Sequence, residues 1–355
     1  CKTVSSPSAD PTYFKLMNDI DMTGETWVPI NWDNGYNKKI DFNGNNRTIS
    51  NLSCVNHRYA SLFGVLYGKV YDLTVKDAYI EHSSYAIGII AGYAGTGDSD
   101  ISREAYCTNV HVSGTVKNTG DNKNGIGGFF GRVYAGGIEK CSADVTIESV
   151  RGFVGGIYGY ETNDVIFYVR NCITKGSITA SEKFLGGIVG GFTKDNLSVE
   201  NCISTMSIKG PWGLGGIVAE ANHDKQDVQT PHNTVKNCIA WNPRIEATNY
   251  KNEHNWSSGA IVGFSSYTNT LTNCYRRPDM EYICGSATLY DQENSSASTP
   301  LTVQGTACDW TSDGCHNAPY HGKAAAKGKT ASDVARDLGW DETIWDLSGD
   351  IPALK

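Results

Sequence analysis

The residues best suited to bind a metal ion lie near the C-terminus. Two cysteines and two histidines fall within 14 residues, in the order Cys308-x6-Cys315-His316-x4-His321. Thiolate and imidazole groups are common zinc ligands, but this spacing matches none of the standard zinc frameworks. A disulfide between Cys308 and Cys315 is the favoured interpretation over zinc, and Cys54 or Cys284 is an alternative partner for either. The sequence therefore predicts no metal and no cofactor.

Two groups of aromatic residues are candidates for ligand binding, because aromatic faces stack on sugars and anchor peptide side chains. The first group lies near the N-terminus and the second lies shortly before Gly259. The candidate ligand-binding residues are Trp27, Trp32, Tyr36, Trp241, Tyr250, His254 and Trp256. The alternative interpretation is that these large side chains cover apolar core under long loops.

A polar stretch from Glu220 to His232 is the third candidate. It carries His223, Asp224, Lys225, Asp227 and His232. A polysaccharide lyase needs a base to remove a proton and positive charge to hold a uronate, and this stretch contains both. A solvated surface loop would have the same composition, so the sequence identifies no catalytic residue.

These candidates are embedded in a repeating pattern. Val-x-Asn-Cys blocks end at Cys172, Cys202 and Cys238, and a Leu-Thr-Asn-Cys variant ends at Cys274, in steps of 30, 36 and 36 residues. A glycine block, such as Gly186-Gly187-Ile188-Val189-Gly190, precedes each of them. A fixed period of about 20 to 50 residues indicates stacked supersecondary units. Alternating strand-like segments follow each cysteine, so the chain is predicted to be all-β.

The predicted architecture is a right-handed parallel β-helix, a solenoid of roughly nine coils. Strands at one position of the repeat are expected to pair with the same position in the next coil, which gives parallel sheets. The asparagine before each cysteine is expected to occupy a corner and to stack on the asparagines above and below it.

The cysteines of the repeats are predicted to be buried free thiols. One column is expected to contain Cys107, Cys141, Cys172, Cys202, Cys238 and Cys274, with Leu52 and Leu73 in earlier repeats. A position that accepts either Leu or Cys faces the core, where a free cysteine behaves as a small apolar residue. Parallel side chains about 4.8 Å apart do not converge as disulfide geometry requires.

Three segments are expected along the chain. Residues 1–45 form an N-terminal cap and first coil, residues 46–283 form the β-helix repeats, and residues 284–355 form an irregular loop segment and a C-terminal cap. A solenoid needs such caps because its terminal rungs expose apolar surface and unpaired backbone groups.

The C-terminal cap is predicted to be short and helical. Thr330 is the expected N-cap residue, with Asp333 at the capping-box distance and Gly339 just past the end of the helix. Three apolar residues that follow the helix, Trp340, Trp345 and Leu347, are expected to lie over the last rung.

The composition limits the partners. A net charge of −8 and the lack of a basic stripe argue against nucleic acid, and no apolar run is long enough to form a transmembrane segment. The chain opens at Cys1 without an initiator methionine or a signal peptide, which indicates a mature or excised segment. Cys1 is a candidate lipid-anchor cysteine, and a segment boundary is the favoured alternative.

The ends and the repeats resemble one known family. The opening contains Tyr13-Phe14-Lys15-Leu16-Met17-Asn18-Asp19-Ile20-Asp21-Met22-Thr23-Gly24, then Trp27-Val28-Pro29-Ile30, Phe42-Asn43-Gly44-Asn45 and Thr48-Ile49-Ser50-Asn51-Leu52. The close contains Leu338-Gly339-Trp340, Trp345 and Ile351-Pro352-Ala353-Leu354-Lys355. Together with the Val-x-Asn-Cys blocks, these residues resemble GLUG-type repeat regions over nearly the whole chain.

The resemblance implies a β-helical fold and an extracellular or bacterial cell-surface location. Such regions occur in adhesin-like proteins and in the non-catalytic part of immunoglobulin A-specific metalloendopeptidases. None of the eight histidines begins the His-Glu-x-x-His motif that such a peptidase needs to bind zinc. We therefore predict a non-catalytic module that binds a host glycan or a host protein such as immunoglobulin. The alternative is a polysaccharide lyase or glycoside hydrolase that acts on the β-helix face.

Overall fold

The computed structural model describes residues 11–31, 39–83, 85–95, 103–120, 125–161, 167–192, 197–221, 233–249, 258–265, 269–284, 301–303 and 321–355. These residues are mostly β-strand, and the strands pair in parallel sheets. The prediction of a mostly-β chain with parallel sheets is confirmed. The three segment boundaries expected from the sequence stay a prediction.

The described strands belong to four sheets. The long sheet contains Thr12–Lys15, Ile20–Asp21, Ile40–Ser50, Ser53–Val55, Gly68–His82, Ala105–Asn118, Gly136–Glu139, Ser142–Ser149, Phe167–Arg170, Ile173–Ala180, Leu197–Glu200, Ile203–Ser204, Ser207–Gly210, Asn233–Lys236, Ile239–Ala240, Arg244–Ala247, Asn269–Thr272, Tyr275–Arg276, Glu281–Cys284, Leu301–Val303 and Lys323–Ala324. The seven-stranded sheet contains Phe63–Leu66, Ala91–Ala94, Phe130–Val133, Tyr158–Glu161, Val189–Phe192, Val218–Ala221 and Val262–Ser265. The four-stranded sheet contains Ile126–Gly127, Val154–Gly155, Leu185–Gly186 and Leu214–Gly215. The fourth sheet pairs Trp345–Asp346 with Ala353–Leu354, antiparallel.

The repeats that have a strand in the four-stranded sheet visit the three large sheets in the same order. In one repeat, Leu185–Gly186 lies in the four-stranded sheet, Val189–Phe192 in the seven-stranded sheet and Leu197–Glu200 in the long sheet. After a corner, Ile203–Ser204 and Ser207–Gly210 form a second run in the same long sheet. The next repeat returns to the four-stranded sheet, where Leu185 pairs in register with Leu214. The period of the sequence is therefore one circuit of the three sheets.

The second glycine of each glycine pair allows neighbouring repeats to approach closely. A Cβ atom on Gly156 would lie 2.1 Å from the carbonyl oxygen of Gly187, and one on Gly187 would lie 2.0 Å from that of Gly216. At these two positions only glycine fits, because any side chain would collide with the backbone of the next repeat.

The corner within the long sheet has a left-handed backbone. The corner residues Asp72, Asn109, Lys140, Asn171, Asn201, Asn237 and Asn273 all have φ between 51° and 54°. Asparagine and aspartate tolerate this conformation better than other non-glycine residues. The amide of Asn237 donates to Asn201 Oδ1 at 3.2 Å, and that of Asn273 donates to Asn237 Oδ1 at 3.0 Å. The predicted asparagine ladder is confirmed, and the left-handed turn explains the residue type.

The cysteine column differs from the prediction in two members. Cys107 pairs in register with Ile138, and that places it three residues before the column. Val110, which follows the corner at Asn109, fills the position instead, in register with Leu73. Leu52 also lies outside the column. It follows Asn51, a left-handed residue further along the same repeat, and not the corner residue. Both residues were misplaced because single blocks without the full Val-x-Asn-Cys pattern do not fix the register.

The remaining column is a ladder of free thiols. Among the described residues, all eight cysteines are buried and unbridged, including Cys54 and Cys284. The thiol of Cys172 donates to the carbonyl of Arg170 at 3.1 Å, and that of Cys202 donates to the carbonyl of Glu200 at 3.2 Å. Burial raises the pKa of the Cys172 thiol well above its usual value, which keeps the group protonated and able to donate. Cys308 and Cys315 lie outside the described residues.

The carboxyl group of Glu161 lies inside this core. Glu161 is fully buried and accepts a hydrogen bond from the hydroxyl of Tyr158 at 3.2 Å. The Tyr158 ring packs edge-on against Phe167 at 5.3 Å between centroids. Burial raises the pKa of Glu161 well above its usual value, although the hydrogen bond from Tyr158 lowers it. The side chain is therefore held in its neutral form.

The C-terminal segment begins as expected but packs elsewhere. Lys323–Ala324 extends the long sheet by pairing in parallel with Tyr275–Arg276. The only described helix, Ala331–Asp337, begins at Thr330 with the predicted capping box to Asp333.

Trp340, Trp345 and Leu347 do not lie over the last rung. They pack on the outer side of the long sheet, against Ile173, Ile203 and Ile239 from three successive repeats. The indole N–H of Trp340 donates to the carbonyl of Asn237 at 3.2 Å. The segment therefore runs back along the stack as a lateral cover.

The sequence marks where this cover lies. The residues that directly follow the cysteine column form one outward row, in register across the repeats: Thr74, His111, Ser142, Ile173, Ile203, Ile239 and Tyr275. The row changes from polar to apolar at Ile173, where the contacts with the C-terminal segment begin. Burial of apolar surface on both sides of the long sheet explains the change.

Replacing Ile203 with serine should release the C-terminal segment. The substitution removes a fully buried side chain from the apolar cluster that also contains Trp345, so we expect a cost of about 2–4 kcal/mol in docking free energy. Hydrogen exchange of the amides in residues 331–347 would then accelerate more than tenfold. Thr74→Ser, in the uncovered part of the same row, is the control, and unchanged exchange in I203S would refute the lateral packing.

Replacing Glu161 with glutamine should stabilise the protein as the pH rises. The raised pKa means that the folded state keeps a proton that the unfolded state loses above its usual carboxyl pKa, so wild-type stability falls with increasing pH. Glutamine has no proton to lose, so we expect a gain of about 1–3 kcal/mol at pH 8 and little change at pH 4. Urea unfolding of both proteins across this range measures the difference, and parallel pH profiles would contradict it.

Candidate ligand-binding groove

One row of the long sheet carries aromatic and charged residues on its outer face. Tyr13, Asp41, Lys69, Tyr106, Gly137 and Tyr168 pair in register across successive strands. Their neighbours in the strands, such as Val70, Cys107 and Val169, are buried in the core. Because side chains alternate along a strand, this row faces away from the core.

Two tyrosine rings in this row lean together. Tyr106 and Tyr168 lie two strands apart, yet their ring centroids are only 6.3 Å from each other. Gly137 lies on the strand between them, and a Cβ atom there would lie 2.3 Å from the Tyr168 ring. The missing side chain makes the space that the Tyr168 ring occupies. The Arg170 guanidinium lies over the same ring, 4.8 Å from its centroid.

A third tyrosine completes a shallow groove. Tyr71 lies in the adjacent outward row, in register with Thr108. The depression has a volume of about 720 Å³ and is lined by Asp41, Lys69, Val70, Tyr71, Asp72, Tyr106, Thr108 and Tyr168. We refer to these residues as the tyrosine groove. Its volume lies in the range of small-molecule sites.

The tyrosine hydroxyls of the groove are protonated donors. Burial and the hydrogen bond to Glu104, at 2.7 Å, raise the pKa of Tyr106 to about 12. Burial, followed by the charge of Glu139, raises the pKa of Tyr168. Burial and the nearby Asp41 carboxylate raise the pKa of Tyr71. The site therefore combines phenol donors with carboxylate acceptors, and nothing in it is set up as a nucleophile.

A second depression lies beyond the corner on the same sheet. It measures about 210 Å³ and contains His111, Ser142, Asp144 and Lys175 among its lining residues. His111 Nδ1 lies 2.8 Å from the Ser142 hydroxyl, and Nε2 lies 3.2 Å from Asn109 Oδ1. In the tautomer with its proton on Nε2, the ring donates to Asn109 and accepts from Ser142. Burial lowers the pKa of His111, so the imidazole is neutral at pH 7.

The aromatic residues singled out from the sequence are only partly within the described chain. Trp27 is half-buried, packs against the core and donates from its indole to the carbonyl of Leu62 at 3.0 Å. Trp241 packs in the separate apolar cluster under the C-terminal segment. The structure does not bring these two tryptophans together. Trp32, Tyr36, Tyr250, His254 and Trp256 lie outside the described residues.

Sequence reasoning missed the tyrosine groove because its three tyrosines come from three different repeats. Tyr71, Tyr106 and Tyr168 are 35 and 62 residues apart and form no local cluster. The available signal was their position, since Tyr106 and Tyr168 each directly precede a buried residue shortly before the corner. Aligning the repeats by the corner residue would have placed all three on the outer face.

Two further observations concern the described part of the chain. It contains no group of three or more His, Cys, Asp and Glu residues arranged to hold a metal ion. It also contains no helix with the length and apolar character needed to cross a bilayer. Most of the polar stretch between Glu220 and His232 lies outside it, and Glu220 itself is buried.

Comparison with known proteins identifies the fold and no family. No protein-family model matches the chain, and no curated protein is similar to it in sequence. A solved structure from Bacteroides ovatus is similar, with a TM-score of 0.66 and 21% sequence identity over 98% of this chain and 87% of the other. That structure is described as a "putative immunoglobulin A1 protease". At this identity the similarity concerns the fold alone.

Proposed function

We propose that the chain is a non-catalytic, extracellular or cell-surface module of a bacterial protein. In this proposal it is a right-handed parallel β-helix of roughly nine coils, related to the GLUG repeats, and it binds a host glycan or a host protein such as immunoglobulin. The observation that carries the proposal is the tyrosine groove, in which Tyr71, Tyr106 and Tyr168 meet on the outer face of the long sheet.

The architecture suits binding by a preformed surface. The groove residues stand on strands that pair with neighbours on both sides, so the rings are held by the sheet rather than by loops. A preformed site loses little conformational entropy on binding, because its side chains are already ordered. Aromatic faces with carboxylate, ammonium and hydroxyl groups between them suit both glycans and protein side chains.

The fold similarity supports the choice of immunoglobulin as a partner to test. The printed name of the structural neighbour refers to immunoglobulin A1, and its fold resembles this chain over 98% of the length. Surface anchoring through Cys1 belongs to the same proposal. Membrane fractionation of the full chain and of a Cys1→Ser variant in a bacterial host tests it.

Removing two rings of the groove should abolish most of the binding. We expect Tyr106→Ala combined with Tyr168→Ala to weaken binding about 10- to 100-fold, since each stacked ring contributes about 0.5–1.5 kcal/mol beyond the area it buries. A glycan array and surface plasmon resonance with immunoglobulin A measure the effect. Tyr79→Ala is the matched control, because Tyr79 is an exposed tyrosine in the second run of the long sheet.

The same comparison can refute the proposal. Binding that the double variant retains in full would place the ligand site elsewhere on the molecule. In that case the aromatic groups around Trp32 and Trp256 would be the next sites to test.

A polysaccharide lyase is the second candidate, favoured by the His111 depression. A neutral imidazole could remove a proton while Lys175 holds the uronate, and both residues line the same depression. If the module is non-catalytic, incubation with acidic polysaccharides produces no new unsaturated or reducing ends. Cleavage that disappears in His111→Gln but persists in Tyr79→Ala would establish the lyase instead. Release of reducing ends alone would point to a glycoside hydrolase.

A further inference from the structure

We propose that the ligand of the tyrosine groove is an uncharged oligosaccharide that lies along the stack, across the strands. This inference rests on the proposed function, because it names the chemical class of ligand for the same groove. It is argued from the backbone pairing of the sheet, the geometry of the rings and the charges around them.

The backbone around the groove favours a glycan over a peptide. Extended peptides bind β-sheets by adding a strand to an edge, where unpaired N–H and C=O groups are available. The groove lies on a sheet face, and the strands that carry Lys69, Tyr106 and Gly137 each pair with strands on both sides. A peptide would therefore find no main-chain hydrogen bonds here. Sugar rings need none, because they use aromatic faces and side-chain hydrogen bonds.

The arrangement of the rings defines the direction of the chain. The row from Asp41 to Tyr168 crosses five strands, which is a length of about 19 Å at about 4.8 Å per step. Tyr71, Tyr106 and Tyr168 supply aromatic platforms within this length. Asp41, Lys69, Asp72 and Thr108 line the same groove, and their polar groups can pair with sugar hydroxyls. The groove thus matches an oligosaccharide several sugars long, oriented across the strands.

The charges around the groove disfavour an acidic glycan. The lining residues include two carboxylates, Asp41 and Asp72, and one cation, Lys69. Glu104 and Glu139 add negative charge beside Tyr106 and Tyr168. These charges would repel a uronate or sulfate group that approaches the rings.

The cations near the groove are engaged by other partners. Arg170 stacks on Tyr168 and lies 3.8 Å from a carboxylate oxygen of Glu200. Lys39 and Arg103 lie over the ring of Tyr67, which directly precedes the strand that carries Lys69. The local charge balance therefore agrees with the net charge of −8 for the whole chain.

Gly137→Ala provides a test that removes no ring and no charge. The three atoms nearest to an added Cβ all belong to the Tyr168 ring, so the new methyl group displaces that ring and leaves the backbone in place. Gly137 does not have a left-handed φ, so alanine fits the local backbone. Gly349→Ala is the matched control, because the nearest atom to its Cβ is 3.8 Å away, in ordinary contact.

The probes are matched pairs of hexasaccharides. They consist of β-1,4-linked glucose, β-1,4-linked mannose and α-1,4-linked galactose, each compared with its C6-oxidised uronate form by isothermal titration calorimetry. We expect at least one neutral hexasaccharide to bind at least tenfold more tightly than its uronate form. Gly137→Ala should weaken that binding at least tenfold, and Gly349→Ala should leave it unchanged. Circular dichroism and unfolding midpoints verify that both variants fold.

Three outcomes would overturn the inference, and they bear differently on the proposed function. Uronates that bind as tightly as their neutral forms, with loss in Gly137→Ala, would refute the neutral class and retain the groove as a glycan site. Immunoglobulin A binding that depends on Tyr106 and Tyr168, without binding of any neutral hexasaccharide, would refute the glycan and retain the module. Binding of no probe, or binding that no groove variant changes, would refute both.

Discussion

The structure depends on the corner where the chain turns within the long sheet. Seven repeats place a residue with left-handed backbone at this point, and the Asn and Asp side chains there bond from one repeat to the next. This fixes the register, because a left-handed residue in one repeat can stack only on the same position in its neighbours. A slip of one residue would turn every side chain of the strand to the opposite face. The corner therefore decides which residues enter the core and which form the outer surface.

Because the register is fixed, an outward side chain can change from one repeat to the next without shifting the strands. The position after the cysteine column is polar in Thr74, His111 and Ser142 and apolar from Ile173 onwards, and the core beneath it does not change. The apolar part binds the C-terminal segment, and the polar part contains the His111 depression. The same independence allowed three tyrosines to collect in the outward rows before the corner. The outward rows can thus vary in chemistry from repeat to repeat, while the buried cysteine column contributes to stability in every repeat.

The sequence predicted those features that a single block contains. The Val-x-Asn-Cys blocks were sufficient for parallel strands, buried thiols and stacked asparagines, and Thr330 with Asp333 was sufficient for the helix start. Features that depend on the alignment of different blocks were not predictable in this way. Cys107 was misplaced by three residues because its block lacks the Asn-Cys pair, and Leu52 because its repeat has a second left-handed residue. The groove was missed for the same reason, since its rings belong to different repeats.

The distribution of side chains along the stack separates two surfaces. In the row that carries Tyr106 and Tyr168, the later repeats have Ser198, Thr234 and Thr270, so the aromatic platform ends at Tyr168. The contacts of the C-terminal segment begin at Ile173, in the same repeat as Tyr168, and continue toward the C-terminal end. Among the described residues, the N-terminal part of the long sheet therefore carries the tyrosines on its outer face, and the part from Ile173 onwards carries the contacts with the C-terminal segment. Packing of the C-terminal segment and the tyrosine groove thus occupy different parts of one sheet face, because the register fixed at the corner lets the side chains of an outer row change without altering the core.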